Sequence, residues 1–295
     1  MTYGLITPAK NEEEFIGLTI DTVVNQTVRP VKWIIVSDGS DDNTDSIVES
    51  KAAEHPWIEL LSLPHRKTRD FGGKARAFMA GYDRIKGHKL DLVGNLDADI
   101  SLDNEHYEFL LQKFAANPKL GIAGSPFLQG DSSYNFQFSS LEHVSGACQL
   151  FRKQCFEDIG GYKPLERGGI DVVAVLSARM NQWETRTFVD KPCRHHRIMG
   201  TAGSGKYMAS FRLGEKDYIL GRHPLWQFLR SFYQMGRKPY FIIGFNILSG
   251  YVWAAVSRKN RPISKDLIRF QRNEQMRRLR MMMPKWFWKK PDVSH

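Results

Sequence analysis

Three apolar runs in the first hundred residues each stop at a polar cluster, and this pattern narrows the folds open to the chain. Leu5-Ile6-Thr7 runs into Pro8-Ala9-Lys10-Asn11-Glu12, Trp33-Ile34-Ile35-Val36 into Ser37-Asp38-Gly39-Ser40, and Leu90 to Leu96 into Asp97-Ala98-Asp99. A run that is apolar throughout, rather than at alternate positions, suits a strand buried on both faces. Between the runs lie helical spacings. Phe15 to Val24 puts Phe15, Ile16, Ile20, Val23 and Val24 on one side, and Ala75 to Ile85 reads as a further helix. Ile58 to Leu63 is another candidate strand. Strands alternating with helices predict a mostly parallel sheet covered on both faces. Ligands bind such sheets beyond the carboxyl ends of the strands, which is where this chain places its polar clusters.

Composition excludes several other classes. With 295 residues, 42% apolar and 25% charged, the chain can bury a large core and does not resemble a disordered protein. Cys148, Cys155 and Cys193 are odd in number and match no metal-ligand spacing, which argues against a disulfide framework and for a reducing compartment. Met1-Thr2-Tyr3-Gly4 has no basic stretch ahead of an apolar core and reads as no secretory signal. From Arg258 onward twelve basic residues face three acidic ones, so this segment carries nine of the formal net charge of +10. A uniformly basic nucleic-acid binder would not concentrate its charge this way. A near-neutral catalytic body with a basic tail would, and such a tail favours an anionic membrane surface.

Ahead of the tail, Pro239 to Val256 contains 18 residues without a charge, flanked by Arg237-Lys238 and Arg258-Lys259. Asn246, two glycines and cations on both sides favour an in-plane or re-entrant membrane element over a full span or a buried core helix. Tyr240, Tyr251, Trp253, Trp286 and Trp288 suit a membrane interface, although aromatics are equally at home in a core.

The strand-end clusters carry recognisable chemistry. In Asp97-Ala98-Asp99, two carboxylates on alternate residues reach one loop region and can together hold a hard divalent cation that bridges a diphosphate. The same pattern, taken alone, is more often a solvated turn. Asp38 to Thr44 is equally what a turn and helix cap would use. Gly72-Gly73-Lys74-Ala75 sets flexible backbone and one ammonium at a helix start, suited to a phosphate or simply to the helix N-terminus.

In this order the pieces resemble the inverting family 2 glycosyltransferases of the GT-A fold. The matching stretches are Thr7 to Glu13, Val36 to Thr44, Gly72 to Ala75 and Leu96 to Asp99, followed by Ser145 to Arg152 and Ile159-Gly-Gly-Tyr162. The resemblance covers about residues 3 to 215. It implies an α/β GT-A nucleotide-diphospho-sugar transferase domain over 1–215, with a nucleotide-binding half over about 1–100 and an acceptor half over 101–215. A helical, membrane-associating extension follows over 216–295.

By that resemblance Asp38 hydrogen-bonds the nucleobase, while Pro8, Ala9 and Glu12 line the nucleoside site. Lys74 meets the diphosphate, Asp97 contacts the nucleotide sugar or the metal, and Asp99 ligates Mn or Mg. One position departs from the pattern: Lys10 stands where the family often has an aromatic, which leaves the stacking partner and identity of the base open. The resemblance also implies an acidic general base at a helix start after the Gly-Gly-aromatic turn. Asp171 occupies that place, with Ile170 before it instead of Glu, and Glu166 is the fallback. Read locally, Asp171 is as well suited to capping the helix. His195 and His196 lie where some members supply a further metal ligand, and neighbours on an extended segment point apart, so at most one serves.

Gly200 to Lys206 spells Gly-x4-Gly-Lys but continues into Tyr207 and follows no buried strand, which excludes a nucleoside-triphosphatase loop. A loop closing over the diphosphate, with Lys206 adding charge, fits better. Gln275-Met-Arg-Arg278-Leu279 and Gln227-Phe-Leu-Arg230-Ser231 lack the Trp of the Gln-x-x-Arg-Trp motif of processive synthases, so single-sugar transfer is expected. The expected donor is a UDP-, GDP- or dTDP-sugar and the acceptor a hydroxyl of a lipid-linked saccharide in polysaccharide or glycolipid assembly. The enzyme is expected at the cytoplasmic face of the membrane, peripherally bound. Two competing readings are a polyprenyl-phosphate sugar transferase and a non-catalytic nucleic-acid- or membrane-binding protein using the basic tail.

Overall fold

The computed structural model describes residues 1–65, 72–128, 140–197 and 205–282. The chain divides into two compact units, Met1–Ile198 and Met199–His295. The glycine-rich loop at 200–204, the side chain of Lys206, Trp286 and Trp288 fall outside the described residues.

The first unit is built on a seven-stranded sheet. β1 (Tyr3–Ala9), β2 (Lys32–Ser37) and β3 (Ile58–Ser62) run parallel, and β4 (Leu92–Leu96) runs parallel on the other side of β1. β6 (Leu120–Gly124), β8 (Cys148–Arg152) and β9 (Glu184–Thr187) complete the order β3-β2-β1-β4-β8-β6-β9. β8 is antiparallel to both neighbours, so four of the six pairings are parallel and the expected mostly parallel sheet holds. From β1 the chain moves outward through β2 to β3, then returns to the opposite side at β4. This reversal opens a crevice beyond the carboxyl ends of β1 and β4, the place where such sheets bind ligands. A small second sheet joins β5 (Ile100–Ser101), which follows β4 in the chain, to β10 (Cys193–His195) and β7 (Phe127–Leu128) in the order β5-β10-β7.

The strands are buried for the reason their sequence suggests. Leu5, Ile6, Trp33, Ile34, Ile35, Val36, Leu92 and Val93 are all fully inaccessible. Trp33 donates its indole N–H to Thr7 Oγ1 at 3.0 Å, which satisfies the one polar atom of the largest core side chain. Helix α1 (Ile16–Val24) buries Ile16, Ile20 and Val23, the i, i+4, i+7 face, and each such side chain contributes about 1.5–3 kcal/mol. Its first turn begins where Glu12 O accepts the amides of Phe15 and Ile16. Helix α3 (Gly72–Ile85) starts with both glycines buried and faces Phe78, Tyr82 and Ile85 inward. Helices α2 (Thr44–Glu54), α4 (His106–Ala116), α5 (Lys153–Asp158) and α6 (Ile170–Met180) complete the unit. Arg152 ties two of its elements together. Its Nε donates to Leu120 O and its Nη2 to Phe114 O and Asn117 O, so one guanidinium answers carbonyls at the end of α4 and the start of β6.

The second unit contains α7 (Lys206–Ile219), α8 (Pro224–Met235), α9 (Ile242–Val256) and α10 (Lys265–Met282). The domain boundary expected at residue 215 lies inside α7. α7 and α9 cross at glycines: a Cβ on Gly214 would stand 2.0 Å from Ile247 O, and one on Gly250 2.0 Å from Phe211 O. Asp217, fully buried on α7, pairs with Arg222 at 2.7 Å and with Arg230 of α8. α9 has 15 residues, about 22 Å of helix, against a hydrocarbon core of about 30 Å. No helix among the described residues is long and apolar enough to cross a membrane, which sets aside the full-span alternative for 239–256. The segment is not a wholly buried helix either. Gly244, Ile247, Gly250, Tyr251 and Ala254 are buried, while Phe245, Val252, Trp253 and Val256 are exposed.

Candidate active site

The crevice beyond β1, β2 and β4 collects most of the residues singled out in the sequence, all of them within the first unit. At the end of β2, Asp38 is buried to 9% exposure and donates its amide to Ala9 O at 2.8 Å. Pro8 and Ala9 are the last two residues of β1 and pair in register with Val36 and Ser37. Lys10 turns back across this junction, its Nζ donating to Asp38 O at 3.0 Å. The position at which the family often has an aromatic thus braces the loop that carries Asp38. The Glu12 amide donates to Thr44 Oγ1 at 2.8 Å, linking the β1 loop to the start of α2.

At the end of β4, the two carboxylates have different surroundings. Asp97 Oδ1 accepts from Lys74 Nζ at 2.5 Å and from Asn95 Nδ2 at 3.2 Å. Lys74 and Asn95 also both donate to Gly146 O, at 3.1 and 2.7 Å. Lys74, expected to meet a diphosphate, therefore sits between Asp97 and the segment leading into β8. Asn95 was not anticipated; its Oδ1 is buried with no hydrogen-bond partner in the described structure. Asp99 is more deeply set, 11% exposed at its side chain. Burial, then repulsion from Asp97, push its pKa above the ordinary aspartate value, with His195 and Arg197 pulling the other way.

The two histidines part company. β10 pairs antiparallel with β5, His195 opposite Ile100, and ends at His195, so His196 lies just beyond the strand. His195 Nε2 comes to 3.7 Å from Asp99 Oδ2, while its Nδ1 lies 2.5 Å from Arg197 O. A carbonyl only accepts, so Nδ1 carries a proton, and Nε2, which offers a lone pair whenever the ring is neutral, is turned to Asp99. Two lone-pair donors facing each other at a spacing too long for a hydrogen bond suit a shared cation, with the ring fixed by its outer hydrogen bond. His196 goes elsewhere: its Nε2 bonds Ser101 Oγ at 2.6 Å and its ring stacks on Phe15. Burial and the nearby Arg194 charge hold its pKa below the usual histidine value. Among the described residues no three His, Cys, Asp or Glu side chains close around a single point, so these residues offer a pair of donors there.

Arg197, also unanticipated, joins the two strand ends. It donates to Glu12 Oε2 at 2.6 Å, and its Nε is 4.0 Å from Asp99 Oδ2. Its place directly after His195-His196 was the available signal.

Asp171 stands in the first turn of α6, behind Gly168 and Gly169 at φ +76° and +91°. Those angles favour glycine and bring the helix start close to the loop before β8. A Cβ on Gly146 would meet Asp171 Cβ at 3.0 Å and its Oδ2 at 3.5 Å. The backbone that receives Lys74 and Asn95 thus also touches Asp171. α6 has no side-chain cap, and the Asp171 carboxylate, half-buried, has no hydrogen-bond partner among the described residues. It makes no capping hydrogen bond, and it remains the acid in the first turn of α6. Glu166, the fallback, is exposed on the preceding turn. Tyr162 from the Gly-Gly-Tyr turn is buried nearby and bonds Gln149 Oε1; burial, then the Asp171 and Asp97 charges, raise its pKa.

Comparison with known proteins agrees with this geometry. Residues 5–169 match the Glycosyl transferase family 2 profile. The poly-beta-1,6-N-acetyl-D-glucosamine synthase of Staphylococcus epidermidis is 28% identical over 170 residues, 51% of this chain and 39% of the relative. The synthase of the same name from Staphylococcus aureus N315 matches equally, so the match spans well under half of these curated relatives. Among solved structures, the Pyrobaculum calidifontis mannosyltransferase PcManGT with GDP-Man and Mn2+ superposes with a TM-score of 0.57 at 18% identity, over 97% of this chain and 82% of that one. S. aureus TarS with UDP-GlcNAc gives 0.57 at 14% identity, again over 97% and 82%. At these identities the likeness speaks for the fold, an α/β GT-A-like architecture. The profile match across more than half of the chain, on the segment that carries the crevice, makes this protein a member of Glycosyl transferase family 2, a glycosyltransferase.

Proposed function

We propose that the protein is an inverting transferase that moves one sugar from a nucleotide-diphosphate sugar to a hydroxyl of a lipid-linked saccharide. The observation that carries this reading is the Asp171 carboxylate, without a hydrogen-bond partner, packed on Gly146, whose carbonyl is bonded to Lys74 and Asn95 beside Asp97. A carboxylate in that condition suits a base. The acceptor oxygen attacks the anomeric carbon as the bond to the diphosphate oxygen breaks, and the acceptor proton passes to Asp171. Attack opposite the leaving group inverts the anomeric configuration. In this reading Asp38 reads the nucleobase, Pro8, Ala9 and Glu12 line the nucleoside, and Lys74 exchanges Asp97 for diphosphate oxygens. Asp99 and His195 would hold Mn or Mg, with Asp97 adjoining. A bound divalent ion would offset the charge developing on the departing nucleoside diphosphate. His196, bonded to Ser101, is left out of the ligand set.

The donors named for solved relatives, UDP-GlcNAc and GDP-Man, belong to the class this reading requires. Calorimetric titration of UDP, GDP and dTDP, with and without Mn, tests it. One nucleotide should bind more tightly with Mn, and Asp99→Ala should remove that enhancement. Absence of binding by all three would overturn the reading. Asp171→Asn should slow transfer by about 10²–10⁴; transfer at the wild-type rate would point to a phosphate acceptor, which needs little help from a base.

Association with the cytoplasmic face of a membrane is part of the proposal. Phe228 and Phe232 on α8, and Phe245, Trp253 and Val256 on α9, are exposed, with Arg237, Lys238, Arg258 and Lys259 at the ends of the apolar segment. Aromatic and apolar side chains bordered by cations suit an anionic bilayer surface. Phe245→Ser with Trp253→Ser should abolish sedimentation with anionic vesicles; undiminished sedimentation would rule this face out.

A further inference from the structure

The second unit holds a cavity of about 490 Å³ between the start of α8 and one face of α10. Arg261, Lys265, Arg269, Arg272, His223 and Asn273 line it, with Ile268 and Met276 as its apolar part, and no carboxylate among the described residues does. On α10 the lining residues Lys265, Ile268, Arg269, Arg272 and Met276 follow i, i+3, i+4, i+7, i+11, a single stripe, while Leu267, Gln271, Gln275 and Leu279 take the buried face.

Four cations around one concavity repel one another; among the described residues the Tyr218 ring, 4.0 Å from the Arg261 guanidinium, and Asp266 offset them in part. Arg261 donates from Nε to Tyr218 O at 3.1 Å, and Arg272 from Nε to Gly221 O at 3.0 Å. Each is thereby anchored through its inner nitrogen, and neither makes a hydrogen bond from its outer nitrogens to the described residues. Lys265 and Asn273 have no partner among the described residues. Among the described residues, Arg269 is the one of these cations that meets an acid, exposed Asp266 at 3.4 Å. The start of α8 adds positive potential: His223 caps it, its Nδ1 accepting the Leu225 amide at 3.2 Å, so a neutral ring presents an Nε2–H donor. Burial, then the Arg272 charge, lower the His223 pKa and favour that neutral form.

We infer that this cavity is a binding site for a small phosphate-bearing polyanion, separate from the donor crevice. Guanidinium groups fixed at Nε with their outer N–H groups open present the fork that phosphate oxygens accept. The volume is in the range of small-molecule sites and exceeds the need of a single bare phosphate, so a diphosphate or a phosphorylated headgroup fits it. The same chemistry comes from a soluble diphosphate or from a lipid headgroup. The inference does not depend on the donor reading, since it concerns different residues.

The test uses the full chain. Inorganic pyrophosphate is titrated calorimetrically without divalent cations into wild type, Lys265→Gln/Arg269→Gln and Arg277→Gln, the last removing one charge from α10 outside the cavity. The double variant should weaken one binding component by about tenfold or more, and Arg277→Gln should leave it within about twofold. Pyrophosphate entering the donor crevice would appear as a component that the double variant keeps. Binding of UDP with Mn should be equal in all three proteins, so failure of the donor site is read separately. A parallel arm measures sedimentation with phosphatidylcholine vesicles, plain or containing phosphatidic acid. Weakened pyrophosphate binding with unchanged vesicle binding identifies a soluble ligand; loss of the phosphatidic-acid increment identifies a headgroup. If the double variant and Arg277→Gln behave alike in both arms, or only an oligonucleotide discriminates between them, the inference is wrong. Lys265 and Arg269 are exposed and Lys265 bears no contact, so the double variant is expected to fold; Arg272→Gln is the second variant should it not.

Discussion

Asp171 and Asp97 have the same side chain and opposite circumstances. Asp97 is held by an ammonium at 2.5 Å and an amide at 3.2 Å, whereas Asp171 has no hydrogen-bond partner among the described residues, beside a glycine that leaves room for it. Asp171→Asn keeps the shape and removes the basicity. The expected result is a loss of about 10²–10⁴ in kcat with nucleotide affinity unchanged, read by steady-state kinetics alongside calorimetry. Asp38→Ala should do the reverse, weakening nucleotide binding by about tenfold while bound donor still turns over, because a nucleobase hydrogen bond is made equally in ground and transition states. Neither aspartate could be assigned from its neighbours in sequence, since a helix cap and a turn use the same residues. For the histidine pair, alternation along a strand says that only one ring can face Asp99. It takes the pairing of His195 with Ile100 to say which.

Among the elements, two side-chain arrangements bear most directly on stability. Arg152 belongs to the stretch that resembles the acceptor-side strand, yet its guanidinium binds three carbonyls of the neighbouring helix end and strand. Arg152→Met should therefore lower stability by about 2–4 kcal/mol in denaturant unfolding, because it leaves those acceptors without their charged donor. The α7–α9 crossing depends on the absence of a Cβ at Gly250, where one would stand 2.0 Å from Phe211 O and 3.2 Å from Glu215 N. Gly250→Val must push the helices apart, and a loss of about 1–3 kcal/mol or more is expected in thermal unfolding. The sequence marked Gly250 only as a weakness in an apolar run. Its use as a helix-crossing residue depends on which helix lies against it.

For the molecule as a whole, the parallel strands β1 to β4 and the order of the polar clusters at their ends were legible early, because continuous apolar runs and the polar residues ending them are local. Burial on both faces demands apolar side chains at every position of a strand, and a topological reversal gathers the strand ends. Short strands left no such trace: β5, β7 and β10 have two or three residues, and the antiparallel course of β8 has no local signature. The run from 239 to 256 was equally mute about its surroundings. Hydropathy sums a whole helix, whereas the fold buries Ile247 and Tyr251 and leaves Phe245 and Trp253 exposed. The basic stripe of α10 was present as composition alone. By itself, then, the sequence determined the family, the parallel core and the residue types at each strand end, since these follow from short-range pattern. The tertiary structure alone decided that His195 and not His196 faces Asp99, that Arg197 bridges to Glu12, that Asp171 is left without a hydrogen-bond partner, and that the α10 cations surround a cavity. Each of these depends on contact between segments far apart in the chain, and local residue preferences carry no information about such contacts.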